Sequence, residues 1–182
     1  MKDTSKFPSP IYQETVLAPI FDAFKAHYYH EMMAINYAHA IILMEQNIIS
    51  RDEGKQLISA LKEIEGQLIP EELHYTGEYE DLFFYIEKQL IKKLGIETAG
   101  KLHTGRSRND INITLFKMKT KTHLRSIIAK LLEFIDTLLQ AAEANQDTIV
   151  VAYTHGQPAQ PTTLAHYLGA FIEILERDAE RL

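Results

Sequence analysis

Two short stretches of the chain gather the residue types that bind anions and move protons. The first, Leu102-His103-Thr104-Gly105-Arg106-Ser107-Arg108-Asn109-Asp110, sets two arginines, hydroxyls and an amide beside a glycine, just where a long helical pattern begins. A helix start offers free backbone N–H groups and the positive end of the dipole, and an arginine fork matches a carboxylate or phosphate. The set reads as an anion site. It reads equally as an ordinary helix start, with Ser107 or Asn109 as the cap and Arg106 and Arg108 paired to surface carboxylates. The second stretch, Tyr153-Thr154-His155-Gly156-Gln157-Pro158-Ala159-Gln160-Pro161-Thr162-Thr163, packs polar groups into a turn stiffened by two prolines. His155 is the one residue in it able to shuttle a proton near neutral pH. A hydrogen-bonded loop histidine is the plainer alternative.

Two further groups are weaker. His27, His30 and Glu31 lie one helical turn apart but carry no metal-site motif, so no metal is assigned. Glu78, Glu80 and Asp81 have the chemistry of general bases, and a solvated acidic helix start accounts for them with less.

The elements that must hold these residues are helical. Helical spacing recurs along most of the chain and no useful strand alternation does, which predicts an all-α fold. A stripe from about Phe21 to Asn47 predicts one helix. Ser50 and Glu53 form a capping-box pair that opens a second, stopped by Pro70. Glu80 to Leu94, closed by Gly95, predicts a third, and Gly95 to Gly105 a loop. From Asn109 to Gln146 no Gly or Pro interrupts the pattern, giving a helix on the order of 55 Å long. Such a helix needs other long helices to cover its stripe, so a bundle is expected, extended across a subunit interface. Pro161 and Thr162 are read as opening a last helix whose stripe runs to Leu182 without a cap, which implies an incomplete chain.

Composition removes several functions. The 182 residues carry 19 Lys+Arg against 25 Asp+Glu, a net charge of −6, so phosphate-rich nucleic acid is not an expected partner. There is no cysteine, which excludes disulfides, thiolate metal sites and a cysteine nucleophile. Charged and proline residues among Met1 to Pro10 leave no signal-peptide core, and the apolar run Met32 to Met44 is too short for a bilayer. A cytoplasmic protein with no membrane partner is expected.

The two chemical stretches resemble signature regions of argininosuccinate lyase, in the fumarase/aspartase superfamily. Weaker similarity runs through Tyr37-Ala38-His39-Ala40, Gly77-Glu78-Tyr79-Glu80-Asp81 and Glu173-Ile174-Leu175-Glu176-Arg177-Asp178. The resemblance implies a cofactor-independent elimination that splits argininosuccinate into fumarate and arginine, by a homotetramer of long-helix bundles. Family members are more than twice this length. The chain thus resembles an N-terminal helical domain, 1–105, and the first part of the central bundle, 106–182, without the downstream loop whose serine is the family's catalytic base. Alone it is expected to be inactive. By resemblance Ser107, Arg108 and Asn109 bind substrate carboxylates with Thr154 beside them, Gln160 contacts substrate, and His155 gives acid/base support.

The sequence departs from the family at three places. Phe83 stands where a histidine usually follows the Glu-Asp pair, Ile111 where glutamine is common, and Asn36 within a substrate-binding stretch on the early helix. These departures keep other readings open: a lyase for another N-substituted aspartate, an adenylosuccinate lyase, or a non-catalytic helical assembly protein.

Overall fold

A computed structural model describes residues 8–182. The described residues up to Lys119 form one compact unit and Thr120–Leu182 a second. The first opens with a helical stretch that changes pitch, α1 (Pro10–Tyr12), a π-helical turn (Gln13–Leu17) and α2 (Ala18–His27). Tyr28, at φ −129° and ψ 0°, separates α2 from α3 (Tyr29–Glu45), so the single helix expected from Phe21 is two. The apolar stripe continues through the break, which is why spacing alone did not reveal it.

The end of α3 is a Schellman motif: Ile48 N–H donates to the Leu43 carbonyl, Asn47 N–H to that of Met44, and Asn47 takes the left-handed conformation. The chain then enters α4 (Arg51–Gln67), where the expected Ser50–Glu53 capping box forms. Gly54 lies on the face of α4 turned to Met44, where a Cβ would come within 2.0 Å of the thioether sulfur.

After a 3₁₀ turn (Pro70–Glu72), α5 (Leu82–Leu94) is capped by the Asp81 carboxylate and ended by Gly95 at φ 78°. The expected loop from Gly95 to Gly105 is replaced by α6 (Ile96–Gly100) and a 3₁₀ turn (Lys101–His103). These pieces are too short to show periodicity, yet they bury Ala99 and Leu102 in the core. That core also holds Phe21, Met33, Leu57, Leu61 and Leu82, together with Ile111 and Leu115 from the first turns of α7 (Arg108–Ala144). Burial of those two residues ties the first turns of α7 to the first unit, which runs to Lys119.

The second unit contains the rest of α7, an antiparallel hairpin of β1 (Ile149–Thr154) and β2 (Gln157–Thr163), and α8 (Leu164–Arg181). The hairpin corrects the expected turn. Pro161 and Thr162 belong to β2, and the Thr163 hydroxyl caps α8 instead. The fold remains helical in class, with this one small sheet among the described residues.

The Glu53 carboxylate pairs with Lys101 and accepts the Ser50 N–H and hydroxyl, which hold its pKa at about 2 against an ordinary 4.5. The folded chain therefore takes up this proton less readily than the unfolded one, so the contribution is complete above pH 4.5 and lost as pH falls towards about 2. Glu53→Gln should lower the melting temperature at neutral pH, and its difference from the parent should shrink across that window. A difference independent of pH in thermal melts would contradict this origin.

Candidate functional site

The α7 entry is built from three consecutive expected site residues. Ser107 caps the helix: its hydroxyl accepts the Asp110 N–H at 3.3 Å. Its own N–H and hydroxyl donate to the Asp110 carboxylate at 2.8 and 2.7 Å. These bonds pull the Asp110 pKa below its usual value. Arg108, the first residue of α7, sends Nη1 to Glu80 at 2.8 Å and to Asp81 at 3.3 Å, and its guanidinium lies over the Phe84 ring at 5.5 Å. Asn109 is exposed on the same turn. The helix-start reading is realised in part: Ser107 caps α7 and Arg108 pairs with Glu80 and Asp81, whereas Arg106 meets the Asn36 amide and no carboxylate.

The two acids on Arg108 differ. Asp81 is nearly buried, fixed by accepting the Phe84 N–H at 3.1 Å, and burial lifts its pKa despite Arg108 nearby. Glu80 is more than half exposed, and its hydrogen bond is the largest cause of the raised Arg108 pKa. Glu80 is thus the main hydrogen-bond partner of the arginine, while Asp81 adds its charge from a position fixed by its role as cap.

Arg106, one residue before the cap, turns inward. Its Nη2 donates to the Asn36 carbonyl oxygen at 2.7 Å, and Asn36 is the buried polar residue of the described chain, 2% exposed. Burial pushes the guanidinium pKa down to about 10, and Nε and Nη1 are buried without partners. A cavity of about 10 Å³ lies beside it, lined by Asn36, Phe83, Glu87, His103 and Arg106 among others. His39 Nε2 meets the Thr104 carbonyl at 2.9 Å, a second tie between α3 and this loop.

The other expected residues share the hairpin. Thr154 pairs with Gln157, so the loop is two residues, His155 and Gly156, at φ 50° and 75°. Positive φ at both positions is the requirement of a type I′ turn, which matches strand twist. Left-handed backbone is uncommon for a side-chain-bearing residue, and histidine is among those that tolerate it. The imidazole is therefore exposed at the tip of a short, well-defined hairpin. Val151 pairs with Pro161 and Tyr153 with Pro158, so Ala159 and Gln160 oppose the single Ala152 in a bulge. Bulges re-aim side chains, and Gln160 stands in this one.

Comparison with known proteins decides the family. The family model described as Lyase matches residues 21–182. The chain belongs to this lyase family, of the fumarase/aspartase superfamily. It is 51% identical over 179 residues to argininosuccinate lyase 2 of Agrobacterium fabrum, covering 98% of this chain and 36% of that protein. It is 41% identical over 145 residues to argininosuccinate lyase of Methanocaldococcus jannaschii, covering 80% of this chain and 30% of that protein. Among solved structures, EDDS lyase in complex with formate superposes with a TM-score of 0.75 at 28% identity, covering all of this chain and 35% of the other. The chain thus spans about a third of the length of the lyases it matches.

Within this lyase fold, the three departures are all interior. Asn36 and Phe83 line the same cavity beside Arg106, and Ile111 is 2% exposed in the core. His103 stacks edge-on against Phe83, ring centroids 5.2 Å apart. Among the described residues no cluster of three or more His, Asp or Glu is placed to hold a metal; Glu31 pairs with Lys119 at 3.4 Å. The sequence reading offered carboxylate partners for both arginines without naming them; Arg108 has them in Glu80 and Asp81, whereas the Asn36–Arg106 bond and the Phe84 ring under Arg108 were missed. Neither contact has a local signal, because the partners are far apart in the chain.

Removing the Asn36 amide leaves a desolvated guanidinium with one fewer acceptor. Asn36→Ala should destabilise the protein by about 2 kcal/mol, read from urea unfolding, and an unchanged midpoint would show that Arg106 finds another acceptor.

Proposed function

We propose that the whole protein is an argininosuccinate lyase-like carbon–nitrogen lyase, which eliminates arginine from argininosuccinate to leave fumarate, a step of arginine biosynthesis. The observation that carries this reading is the 51% identity, over 98% of this chain, with a protein named argininosuccinate lyase 2. The local geometry suits the chemistry. Elimination removes a proton from the carbon beside a carboxylate, the C–N bond breaks with its electron pair leaving on nitrogen, and a C=C bond forms. Negative charge accumulates on the carboxylate meanwhile, and preorganised donors stabilise it. Ser107, Arg108 and Asn109, at the positive end of a 37-residue helix, are such donors. By the resemblance alone, Thr154 and Gln160 contact substrate, and His155 holds or moves the proton that the departing nitrogen needs. The reaction calls for no cofactor.

Assembly as a homotetramer fits the apolar side chains that α7 and α8 leave exposed, among them Ile127, Phe134, Phe171 and Ile174. A small molecule is the substrate, with no nucleic acid or membrane partner. No described helix is long and apolar enough to cross a membrane, and a cytoplasmic location is part of this proposal.

A second reading, elimination from another N-substituted aspartate, draws on the interior changes at Asn36 and Phe83. A variant of EDDS lyase with bound fumarate is among the similar structures, at 28% identity. Fumarate is common to both readings, and the amine half distinguishes them.

The test uses the full-length protein and ultraviolet absorbance of fumarate. Argininosuccinate should be turned over, and His155→Asn should lower kcat by roughly 10²- to 10⁴-fold with an unchanged melting temperature. Asparagine tolerates left-handed backbone, so the turn survives while the imidazole is lost. Full activity in this variant would remove the acid/base assignment; fumarate release only from a different aspartate adduct would favour the second reading.

A further inference from the structure

At the α7 entry, Ser107 and Arg108 are engaged by carboxylates of the same chain. The two acids on Arg108 are unequal in their freedom to leave. Asp81 is 14% exposed and tied down as the cap of α5, whereas Glu80 is 54% exposed and, among the described residues, its carboxylate accepts no hydrogen bond besides that of Arg108. Both acids bond Nη1, and Phe84 covers one face of the guanidinium. An exposed ion pair of this kind is worth little and exchanges partners readily, while a bidentate carboxylate on the same arginine is the stronger arrangement.

We propose that Glu80 is an intramolecular competitor for the substrate carboxylate at Arg108: it neutralises the arginine in the empty site and gives it up when substrate binds. The idea rests on Arg108 being a carboxylate-binding residue. Asp81 keeps its hold throughout, so the arginine stays oriented while Glu80 swings into solvent. Glu80 thereby sets how tightly a dicarboxylate is held, and its departure frees the charge that stabilises the developing negative carboxylate. Removing it has an unusual sign for a change beside a binding site, because competition and like-charge repulsion both vanish together.

In the full-length protein, Glu80→Gln and Glu80→Ala should each bind succinate about two- to five-fold more tightly by calorimetry, the gain expected from releasing an exposed ion pair. The KM for the aspartate adduct should fall in parallel, with the melting temperature unchanged. Tightening in the alanine variant guards against a glutamine that still bonds Arg108. Unchanged or weaker succinate binding in both variants overturns the competitor role. Arg108→Gln separates this outcome from failure of the underlying reading. Loss of succinate binding in that variant supports Arg108 as the carboxylate site, so unchanged Glu80 variants would then refute competition alone. Undiminished binding in Arg108→Gln would overturn both.

Discussion

The first unit is organised around a charge placed where charge is costly. Arg106 carries its guanidinium into the interior between α3, α5 and the start of α7, and burial lowers its pKa to about 10. A cation in that setting must be hydrogen-bonded or it destabilises the fold. Asn36 supplies the bond, and as a neutral amide it does so without pairing the charge. Its position on α3 is thereby linked to the chain entering α7. The next residue, Ser107, becomes the cap, and the one after it, Arg108, reaches the start of α5. The alternation of Arg106 inward and Arg108 outward follows from this anchoring, and it explains why two arginines in one motif have separate work.

Electrostatics at the α7 entry follow from the same arrangement. A helix start, a guanidinium and a hydroxyl would leave a strongly positive cleft if unbalanced. The chain answers with three nearby carboxylates, of which Asp81 and Asp110 double as caps. Two of the three are therefore held by backbone geometry as well as charge. Only Glu80 lacks that second tie, and this difference in tethering separates fixed structure from exchangeable contact.

Legibility in the sequence tracked the distance over which each interaction acts. The Ser50–Glu53 box, the end at Gly95 and the long α7 were readable because their causes lie within one or two turns. The hairpin was not. Ile149-Val150-Val151 looks like the apolar tail of a helix, and Pro158, Gln160 and Pro161 mask the alternation of β2. At the site, Ser107 as cap was readable, whereas the bond from Arg106 to Asn36 joins residues 70 apart and leaves no local trace. The roles proposed for Thr154, His155 and Gln160 rest on the resemblance, since a loop histidine beside prolines has no unique chemistry of its own.

The two-residue loop at His155 and Gly156 also restricts how this segment can change over time. Strand side chains alternate faces, so gaining or losing one residue in the turn would shift the pairing and reverse the facing of everything beyond it. The bulge at Ala159 and Gln160 already uses the one extra residue that the ladder accommodates. Homologous chains that keep this hairpin should therefore vary in residue type far more easily than in length between Val151 and Pro161. At position 155 even residue type is narrowed, because the left-handed backbone admits few side chains whatever chemistry they perform. Persistence of histidine there would reflect shape as well as reactivity.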